Sequence, residues 1–300
     1  MKRFRIISLL LATVLFFTAC GFELDLPVGS DFKVTTYKDY SGLLIKYIDV
    51  KQGDSELIML PDKKTLLIDG GDVGTSDELV EFIKDEGIEK IDYMVATHPH
   101  ADHIGGLDDV LNSFSVGEFL MPYIPEKDVP TTKVYENLLD ATLNNGCEVI
   151  RAKAGITICE GEDYKAVCLS PVKEENEGLN NYSAVVKLTY KDTSYLFMGD
   201  AEFDAEFDIL ETDTDISADV IKIGHHGSYT ATGQDFLKSV NPKYAVISVG
   251  EGNKYGHPHD VTISKLNAKC KIYRTDQMGT VTLQSDGTDL HFAYQKSIYS

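Results

Sequence analysis

One stretch of ten residues constrains this chain more than any other. Residues 97–106 read Thr-His-Pro-His-Ala-Asp-His-Ile-Gly-Gly, which places three histidines and one aspartate within six positions. Alternate residues of an extended segment lie on one side, so His98, His100 and Asp102 share a side and His103 follows directly. Imidazole nitrogens and carboxylate oxygens together suit zinc, and also manganese or iron. Four unrelated side chains are the alternative reading, and the density of the cluster argues against it.

The pattern His-x-His-x-Asp-His followed by Gly-Gly resembles the signature of the metallo-β-lactamase superfamily. A second segment, Asp49-Val-Lys-Gln-Gly-Asp-Ser55, resembles a motif of its ComEC/Rec2-like branch. That branch contains the extracytoplasmic domain of DNA-uptake proteins and stand-alone relatives, and Lys51 stands where it usually has glycine. The resemblance implies a hydrolase with two divalent metal ions, zinc or manganese, that supply a nucleophilic hydroxide.

Hydrophobic patterning predicts strands and helices in two halves, the second beginning near Asn180. In the first half the strands are expected at 43–50, 56–60, 65–68, 91–96, 116–121, 147–151, 156–159 and 164–169, and the helices at 76–87, 107–114 and 131–145. In the second half the strands are expected at 183–190, 193–198, 219–223, 244–249, 271–273, 279–284 and 290–294, and the helices at 202–210, 235–240 and 261–269. This is an α/β (α+β) chain, and the resemblance implies a four-layer αββα sandwich with metal ligands in loops at one end.

The resemblance also implies which side chains form the metal shell. Asp200, in Gly-Asp-Ala-Glu, would bridge the two ions, although an aspartate there also suits a helix cap. The full set of implied ligands is His98, His100, Asp102, His103, Asp200 and His225. We expect His225 at the second metal, while His226 is either the ligand instead or acts near the substrate.

Further residues are assigned to catalysis, substrate contact or support of the metal shell. The catalytic candidates are Asp102, His226 and His257, and the substrate-binding or supporting candidates are Asp54, Asn181, Ser183, Ser228 and His259. Many superfamily members have another histidine before the bridging aspartate, but residues 179–183 read Leu-Asn-Asn-Tyr-Ser. Asn181 or water is therefore expected to complete the first metal site, and that site is expected to be the weaker one.

The amino terminus carries a separate signal. Residues 1–20 combine three basic residues, an apolar stretch too short for a standard spanning helix, and a final Phe-Thr-Ala-Cys. This resembles a bacterial lipobox and predicts cleavage before a lipidated Cys20, while a plain secretory signal or an uncleaved anchor remains the alternative. Residues 21–40 are expected to form a tether and residues 41–300 the metallo-β-lactamase-like domain. The chain is thus predicted to be an extracytoplasmic lipoprotein held at the membrane.

Charge and cysteine content limit the partners. The formal net charge of −20 becomes −23 once the three basic residues of the signal are removed. A chain with this negative charge argues against a broad basic groove for nucleic acid, but metal ions can supply positive charge locally. The four cysteines beyond Cys20 lack the spacing of a structural zinc site, and their pairing is left open.

Three functions follow from these observations. The first is a phosphodiesterase or nuclease acting on phosphodiesters such as single-stranded DNA. The second is a hydrolase of cell-envelope polymer substituents such as phosphorylcholine. The third is a binding lipoprotein that uses metal structurally, although open loops flanked by glycine resemble a catalytic site more closely. Hydrolysis of β-lactams is disfavoured by the missing histidine.

Overall fold

The computed structural model describes residues 22–24 and 40–295. Its strands are β1 Phe22–Leu24, β2 Leu43–Tyr47, β3 Glu56–Met59, β4 Thr65–Ile68, β5 Lys90–Val95, β6 Ser115–Pro122, β7 Glu148–Ala152, β8 Thr157–Glu160, β9 Tyr164–Cys168, β10 Val186–Tyr190, β11 Thr193–Phe197, β12 Val220–Lys222, β13 Tyr244–Ile247, β14 Lys271–Arg274, β15 Val281–Ser285 and β16 Leu290–Gln295. Its α-helices are α1 Ser76–Asp85, α2 Ala101–Ile104, α3 Leu107–Ser113, α4 Lys133–Asn145, α5 Phe203–Leu210, α6 Gln234–Val240, α7 Asp260–Asn267 and α8 Thr275–Met278. Short 3-10 helices lie at Val73–Thr75, Leu179–Tyr182 and Gly224–Gly227.

The strands form two mixed sheets. The first has the order β1-β16-β15-β2-β3-β4-β5-β6-β7, and the second has the order β14-β13-β12-β11-β10-β9-β8. We expected the second half of the chain to begin near Asn180. That position does not separate the strands of one sheet from those of the other, so the expectation is wrong in this respect. Strand β9 pairs antiparallel with β10 across that point, and β15 returns to pair with β2. Antiparallel pairing with the next strand along the chain therefore places β9 in the second sheet.

Burial on both faces of the strands explains the four layers. Leu43 and Ile45 face a central core that they share with Val186 and Phe197 of the opposite sheet. Leu44, between them in sequence, faces an outer core instead, as the two-residue period of a strand requires. Helices α1, α3 and α4 cover the outer face of the first sheet, and α5, α6 and α7 cover that of the second. The predicted αββα sandwich is confirmed.

Parallel strands bring the polar loops to one end of the sandwich. In the first sheet β4, β5 and β6 run parallel, and in the second β11, β12, β13 and β14 do so. The loops after β5, β11, β12 and β13 carry the residues singled out from the sequence. Loops at the carboxyl ends of parallel strands are where α/β folds build binding sites.

The amino-terminal predictions fall largely outside the described residues. The signal sequence and Cys20 lie there, as does most of the expected tether, while residues 22–24 form β1 and pair with β16. Among the residues that the structure describes, no helix has the length and apolar character needed to cross a bilayer. Cys147, Cys159, Cys168 and Cys270 are all free thiols.

Candidate metal centre

The histidine-rich motif is anchored at the end of β5 by an aspartate of the neighbouring strand. Asp69 follows β4, and its carboxylate accepts hydrogen bonds from the backbone N–H of Thr97 at 2.7 Å and from the Thr97 hydroxyl at 2.6 Å. Asp69 has a φ of +57°, a left-handed conformation that costs roughly 1–2 kcal/mol in a residue other than glycine. The same carboxylate contacts Nδ1 of His103 at 2.7 Å. One buried carboxylate thus fixes both ends of the motif.

Asp200 lies at the middle of the site. It is 2 % exposed, and its backbone N–H donates to the Ser183 hydroxyl at 3.1 Å. Its Oδ1 atom lies 3.2 Å from Nε2 of His103 and 3.5 Å from Nε2 of His226. Its Oδ2 atom lies 3.8 Å from Nε2 of His98 and 3.7 Å from Nε2 of His225. The carboxylate therefore separates two groups of histidines.

We name these groups by the oxygen that they face. The Oδ1 side comprises Asp102, His103 and His226, because Oδ2 of Asp102 is 3.4 Å from Nε2 of His226. The Oδ2 side comprises His98, His100 and His225, because Nδ1 of His100 is 2.9 Å from Nε2 of His98. Candidate ligand atoms within 4.8 Å of one another occur on each side, as His98 with His100 and Asp200, and as Asp102 with His103 and His226.

Two adjacent histidines reach opposite sides because the backbone turns between them. His225 and His226 have left-handed φ values of +49° and +52°, and their rings lie 6.1 Å apart at an angle of 68°. Gly227 continues the turn at a φ of +83°, where a Cβ atom would lie 2.5 Å from Cβ of Pro258. We expected His225 beside the second metal. The structure places His226 there, with Asp102 and His103, and places His225 on the Oδ2 side.

This turn supplies the position for which the sequence offered no histidine. Asn181 or water was expected to complete the first metal site, and the hydrogen bonds of Asn181 contradict the first of these alternatives. Its side-chain oxygen accepts the backbone N–H groups of Glu202 at 3.1 Å and Ala205 at 3.3 Å, and its amide donates to the Glu177 carbonyl at 2.8 Å. The side chain of Asn181 therefore makes its hydrogen bonds at the start of α5. His225 faces Asp200 in its place.

On the Oδ1 side, each histidine has a partner at Nδ1 that turns Nε2 towards Asp200. Nδ1 of His226 contacts the Ser248 carbonyl at 3.0 Å and Oδ1 of Asp54 at 3.2 Å. Nδ1 of His103 contacts Asp69, as described. An acceptor at Nδ1 holds the proton there and leaves the Nε2 lone pair free to bind a cation.

On the Oδ2 side, His225 and His98 likewise have a hydrogen-bond partner at Nδ1, but fewer of these partners are charged. Nδ1 of His225 contacts Oε1 of Glu202 at 3.0 Å, and the Thr230 hydroxyl donates to that oxygen at 2.6 Å. Nδ1 of His98 lies 3.1 Å from the Thr97 hydroxyl, whose own proton is donated to Asp69. His98 is therefore the donor in this contact, and its Nε2 carries a lone pair that faces Nδ1 of His100 at 2.9 Å.

A buried lysine lies beneath the Oδ1 side. Lys222 is 1 % exposed, contacts Oδ2 of Asp54 closely and donates to the Ile223 carbonyl at 3.0 Å. Burial raises the pKa of Asp54, but the charges of Lys222, His226 and His103 outweigh burial and hold it below its usual value. Glu56 is also buried there, and burial followed by the charge of Asp54 raises its pKa well above normal.

Electrostatics differ between the two sides. Burial lowers the pKa of His226, but the carboxylates of Asp200, Asp54 and Asp102 outweigh burial and raise it to about 10. The pKa of His103 likewise rises well above normal because Asp200 and Asp69 outweigh its burial. Burial and the charge of His103 instead lower the pKa of His98 well below normal. The Oδ1 side attracts positive charge strongly, and His98 on the Oδ2 side would be a neutral ligand for a cation.

The residues present fit divalent cations. Nε2 of His103, Nε2 of His226 and Oδ1 of Asp200 are buried and, among the described residues, have no hydrogen-bond partner. Buried polar atoms are rarely left in this state, and these three converge on one point. Nitrogen and carboxylate oxygen are the ligand atoms of zinc sites. A cation at this point would satisfy all three.

The remaining predicted residues surround this centre. Ser183 supports Asp200, and the Ser228 hydroxyl contacts the Thr230 hydroxyl at 2.9 Å. Nδ1 of His259 accepts the backbone N–H of Tyr229 at 3.1 Å. The His257 ring lies 5.3 Å from that of His225, and burial followed by the charges of His225 and His226 lowers its pKa to about 4. His257 is thus a partly exposed residue beside the histidine of the Oδ2 side.

Sequence reasoning missed four contributors: Asp69, Glu202, Lys222 and Thr230. Each acts through a partner that is distant in sequence or through a turn whose geometry is not visible in the sequence. Asp69 did carry a signal, since it ends a buried strand immediately before two glycines. Lys222 carried one too, because a lysine within a strand whose three residues are all buried requires a partner charge.

Comparisons with known proteins agree with this geometry. The sequence profile of the Metallo-beta-lactamase superfamily matches residues 49–251. "ComE operon protein 3" of Bacillus subtilis is 31 % identical over 255 residues, which are 79 % of this chain and 32 % of that protein. "Competence protein ComA" of Neisseria gonorrhoeae is 27 % identical over 238 residues, 78 % of this chain and 31 % of that protein. The chain thus spans about a third of the length of these relatives.

Among solved structures, the metallo-β-lactamase fold protein YhfI of Bacillus subtilis superposes with a TM-score of 0.52. The match covers 81 % of this chain and 100 % of that one, at 10 % sequence identity. At such low identity the likeness shows the fold alone. The predicted resemblance to the ComEC/Rec2-like group is confirmed by the sequence relatives.

Proposed function

The chain belongs to the metallo-β-lactamase superfamily, and we propose that it is a metal-dependent phosphodiesterase with two cation positions on either side of Asp200. The observation that carries this proposal is the division of four Nε2 atoms between the two oxygens of one buried carboxylate. A carboxylate in that position can hold two cations roughly 3.5–4 Å apart, the spacing of two-metal hydrolases. Asp102, His103 and His226 would hold one ion, and His98, His100 and His225 the other.

Bound zinc or manganese would lower the pKa of water and stabilise the negative charge of a phosphoryl group. The side chains of this protein then have separate tasks. Asp69, Glu202 and the Ser248 carbonyl fix the histidine tautomers, and Asp102, a quarter exposed, can orient water at the cleft. His257 is neutral near pH 7 and can exchange a proton with the substrate.

The names of the relatives support a phosphodiester substrate, whereas the net charge of the chain opposes one unless cations are bound. Two relatives are named as competence or ComE operon proteins, which is in keeping with single-stranded DNA as a partner. A chain of net charge −20 would repel a polyanion, but two cations provide positive charge at the reacting phosphate. The lipobox-like sequence ending at Cys20 favours an extracytoplasmic, membrane-anchored enzyme. It also keeps envelope polymers carrying phosphorylcholine as the second candidate.

Hydrolysis of bis-p-nitrophenyl phosphate and of single-stranded DNA by the purified protein with zinc or manganese tests the proposal. We expect metal-dependent turnover that is abolished in His100→Ala and retained in His291→Ala, a matched change on β16. Absence of turnover with metal bound and the fold intact would contradict the enzyme and favour a binding lipoprotein. Release of phosphorylcholine without cleavage of DNA would favour the envelope substrate.

A further inference from the structure

A series of aromatic rings leads outward from the Oδ2 side. The ring of His257 lies 5.3 Å from His225, and the ring of Tyr255 stacks on His257 at 5.7 Å and 24°. A second branch runs from His257 to His259 at 4.9 Å and from His259 to Tyr229 at 4.9 Å. The two tyrosines at the outer ends are 52 % and 60 % exposed. Single exposed aromatics are ordinary, but rings connected to a candidate metal ligand form a continuous surface.

The loop that carries Tyr255 is held in shape by one asparagine. The Asn253 side-chain oxygen accepts the backbone N–H groups of Tyr255 at 3.1 Å and His257 at 3.0 Å. Its amide donates to the carbonyls of Gly250 at 3.0 Å and His257 at 2.6 Å. These four bonds fix the backbone on both sides of the exposed ring. A ligand stacking on Tyr255 would therefore meet a preorganised surface.

Positive charge accompanies these rings in an otherwise acidic chain. Nζ of Lys254 lies 5.0 Å from the centre of the Tyr255 ring. The loop of Lys51 packs against the same segment, because the Gly250 N–H donates to the Gln52 side chain at 3.2 Å, but the Lys51 ammonium is paired with Asp49 at 3.5 Å. An aromatic face beside Lys254 suits a planar base next to a phosphate. The ammonium of Lys254 would repel a quaternary ammonium such as choline.

We propose that Tyr255, stacked on His257, binds a nucleobase next to the reacting phosphate of a single-stranded nucleic acid, with Lys254 contacting a neighbouring phosphate. This inference rests on the proposed phosphodiesterase function. It adds that the site recognises a base of the single strand beside the reacting phosphate. Stacking of a base on an aromatic side chain tolerates any sequence, because every base has a π face. The surface therefore selects single-stranded substrates without selecting a sequence.

Binding of two fluorescent oligonucleotides of about ten nucleotides tests this inference, one an oligothymidylate and the other with abasic residues throughout. By fluorescence anisotropy on the metal-loaded protein, Tyr255→Ala is expected to weaken binding of the oligothymidylate roughly 5- to 100-fold and to leave binding of the abasic strand unchanged. Tyr255→Trp should restore binding. Phe207→Ala, which removes an exposed ring from α5, should change neither. Lys254→Gln should weaken binding of both strands.

The inference is overturned if wild-type protein binds the two strands equally, if it binds neither, or if Tyr255→Ala leaves binding of the oligothymidylate intact. It is also overturned if Tyr255→Ala weakens both strands to the same extent. Turnover is measured on the same samples, so that the two proposals can be separated. Base-dependent binding without hydrolysis would reject the proposed phosphodiesterase activity and retain the stacking surface. Hydrolysis without base-dependent binding would reject the stacking surface and retain the phosphodiesterase activity.

Discussion

The two sides of Asp200 use the same kind of ligand in different surroundings. The Oδ1 side is surrounded by Asp54, Asp69 and Asp102, with Lys222 as the buried counter-charge, and its histidines have raised pKa values. On the Oδ2 side, one carboxylate, Glu202, contacts a histidine at Nδ1, and His98 and His100 have lowered pKa values. Ligand count alone would make the sides equal. We therefore expect the charge behind the ligands to make the Oδ1 side the tighter cation site.

The Oδ1 side, which we expect to bind cations more tightly, is also the more enclosed one. Its histidines His103 and His226 are buried and Asp102 is partly exposed, whereas on the Oδ2 side His98 is buried and His100 and His225 are partly exposed. The ring of His225 adjoins those that lead to solvent. A tight ion on the Oδ1 side would hold the loops together. A more weakly held ion on the Oδ2 side would lie nearer the substrate.

Removal of the shared carboxylate is expected to have the largest effect, because it affects both sides at once. Asp200→Ala should lower kcat/KM for bis-p-nitrophenyl phosphate by more than roughly 10³-fold, the scale of losing one preorganised electrostatic contact in an active site. The matched change Asp204→Ala, at an exposed position on α5, should leave activity near wild type. Activity within tenfold of wild type in Asp200→Ala would show that the two sides do not share this ligand.

Loss of the buried positive charge of Lys222 should lower the free energy of unfolding. This effect should arise from the Oδ1 side alone. Lys222→Met leaves Asp54 buried without its cation, and breaking a buried pair in this way typically costs about 3–5 kcal/mol in the free energy of unfolding. Chemical denaturation of the metal-free protein measures this loss. The exposed lysine change Lys243→Met should cost less than about 1 kcal/mol.

A double variant separates the charge effect from loss of packing. Lys222→Met combined with Asp54→Leu should recover much of the stability lost in the single variant, because both buried charges are then absent. Equal stability of the single and double variants would contradict the role given to this pair.

Supporting carboxylates provide the most direct test of the difference between the sides. Asp69→Asn and Glu202→Gln should each weaken metal affinity roughly 10- to 100-fold, the usual effect of changing a group that orients a ligating histidine. In a calorimetric titration with metal, Asp69→Asn should lower the affinity of the tighter of the two binding events. Glu202→Gln should lower the affinity of the weaker event. Loss of the same event in both variants would show that the sides are not independent.

Local patterns in the sequence were sufficient to predict much of this centre. The candidate ligands of residues 98–103 lie within one short segment, and the strands other than β1 and most helices follow from hydrophobic period. The short α2 and α8 were missed, since four residues give too little period to detect. The αββα layers came from family resemblance, and the mistaken boundary near Asn180 shows that periodicity does not decide which strands pair.

Long-range contacts explain what the sequence did not reveal. Asp69 and His103 meet across neighbouring strands, and Lys222 reaches Asp54 from the opposite sheet. The exchange of His225 and His226 depends on two consecutive left-handed residues. Histidine adopts this conformation more often than most residues, but it is uncommon for any residue other than glycine, so the sequence does not locate the turn. Asn181 was misassigned because an amide can cap a helix as well as face a cation, and only the position of α5 decides between these roles.

Asp200 is expected to divide two cation positions of unequal strength, with His226 on the tight side and His225 on the weak side. Anomalous diffraction from crystals prepared with one and then two equivalents of zinc per chain tests this expectation most directly. The first ion should lie between Asp102, His103 and His226, and the second should appear between His98, His100 and His225 only at the higher ratio. His225→Ala should keep the first ion and lose the second. A first ion on the Oδ2 side, or equal occupancy of both positions at one equivalent, would contradict this account.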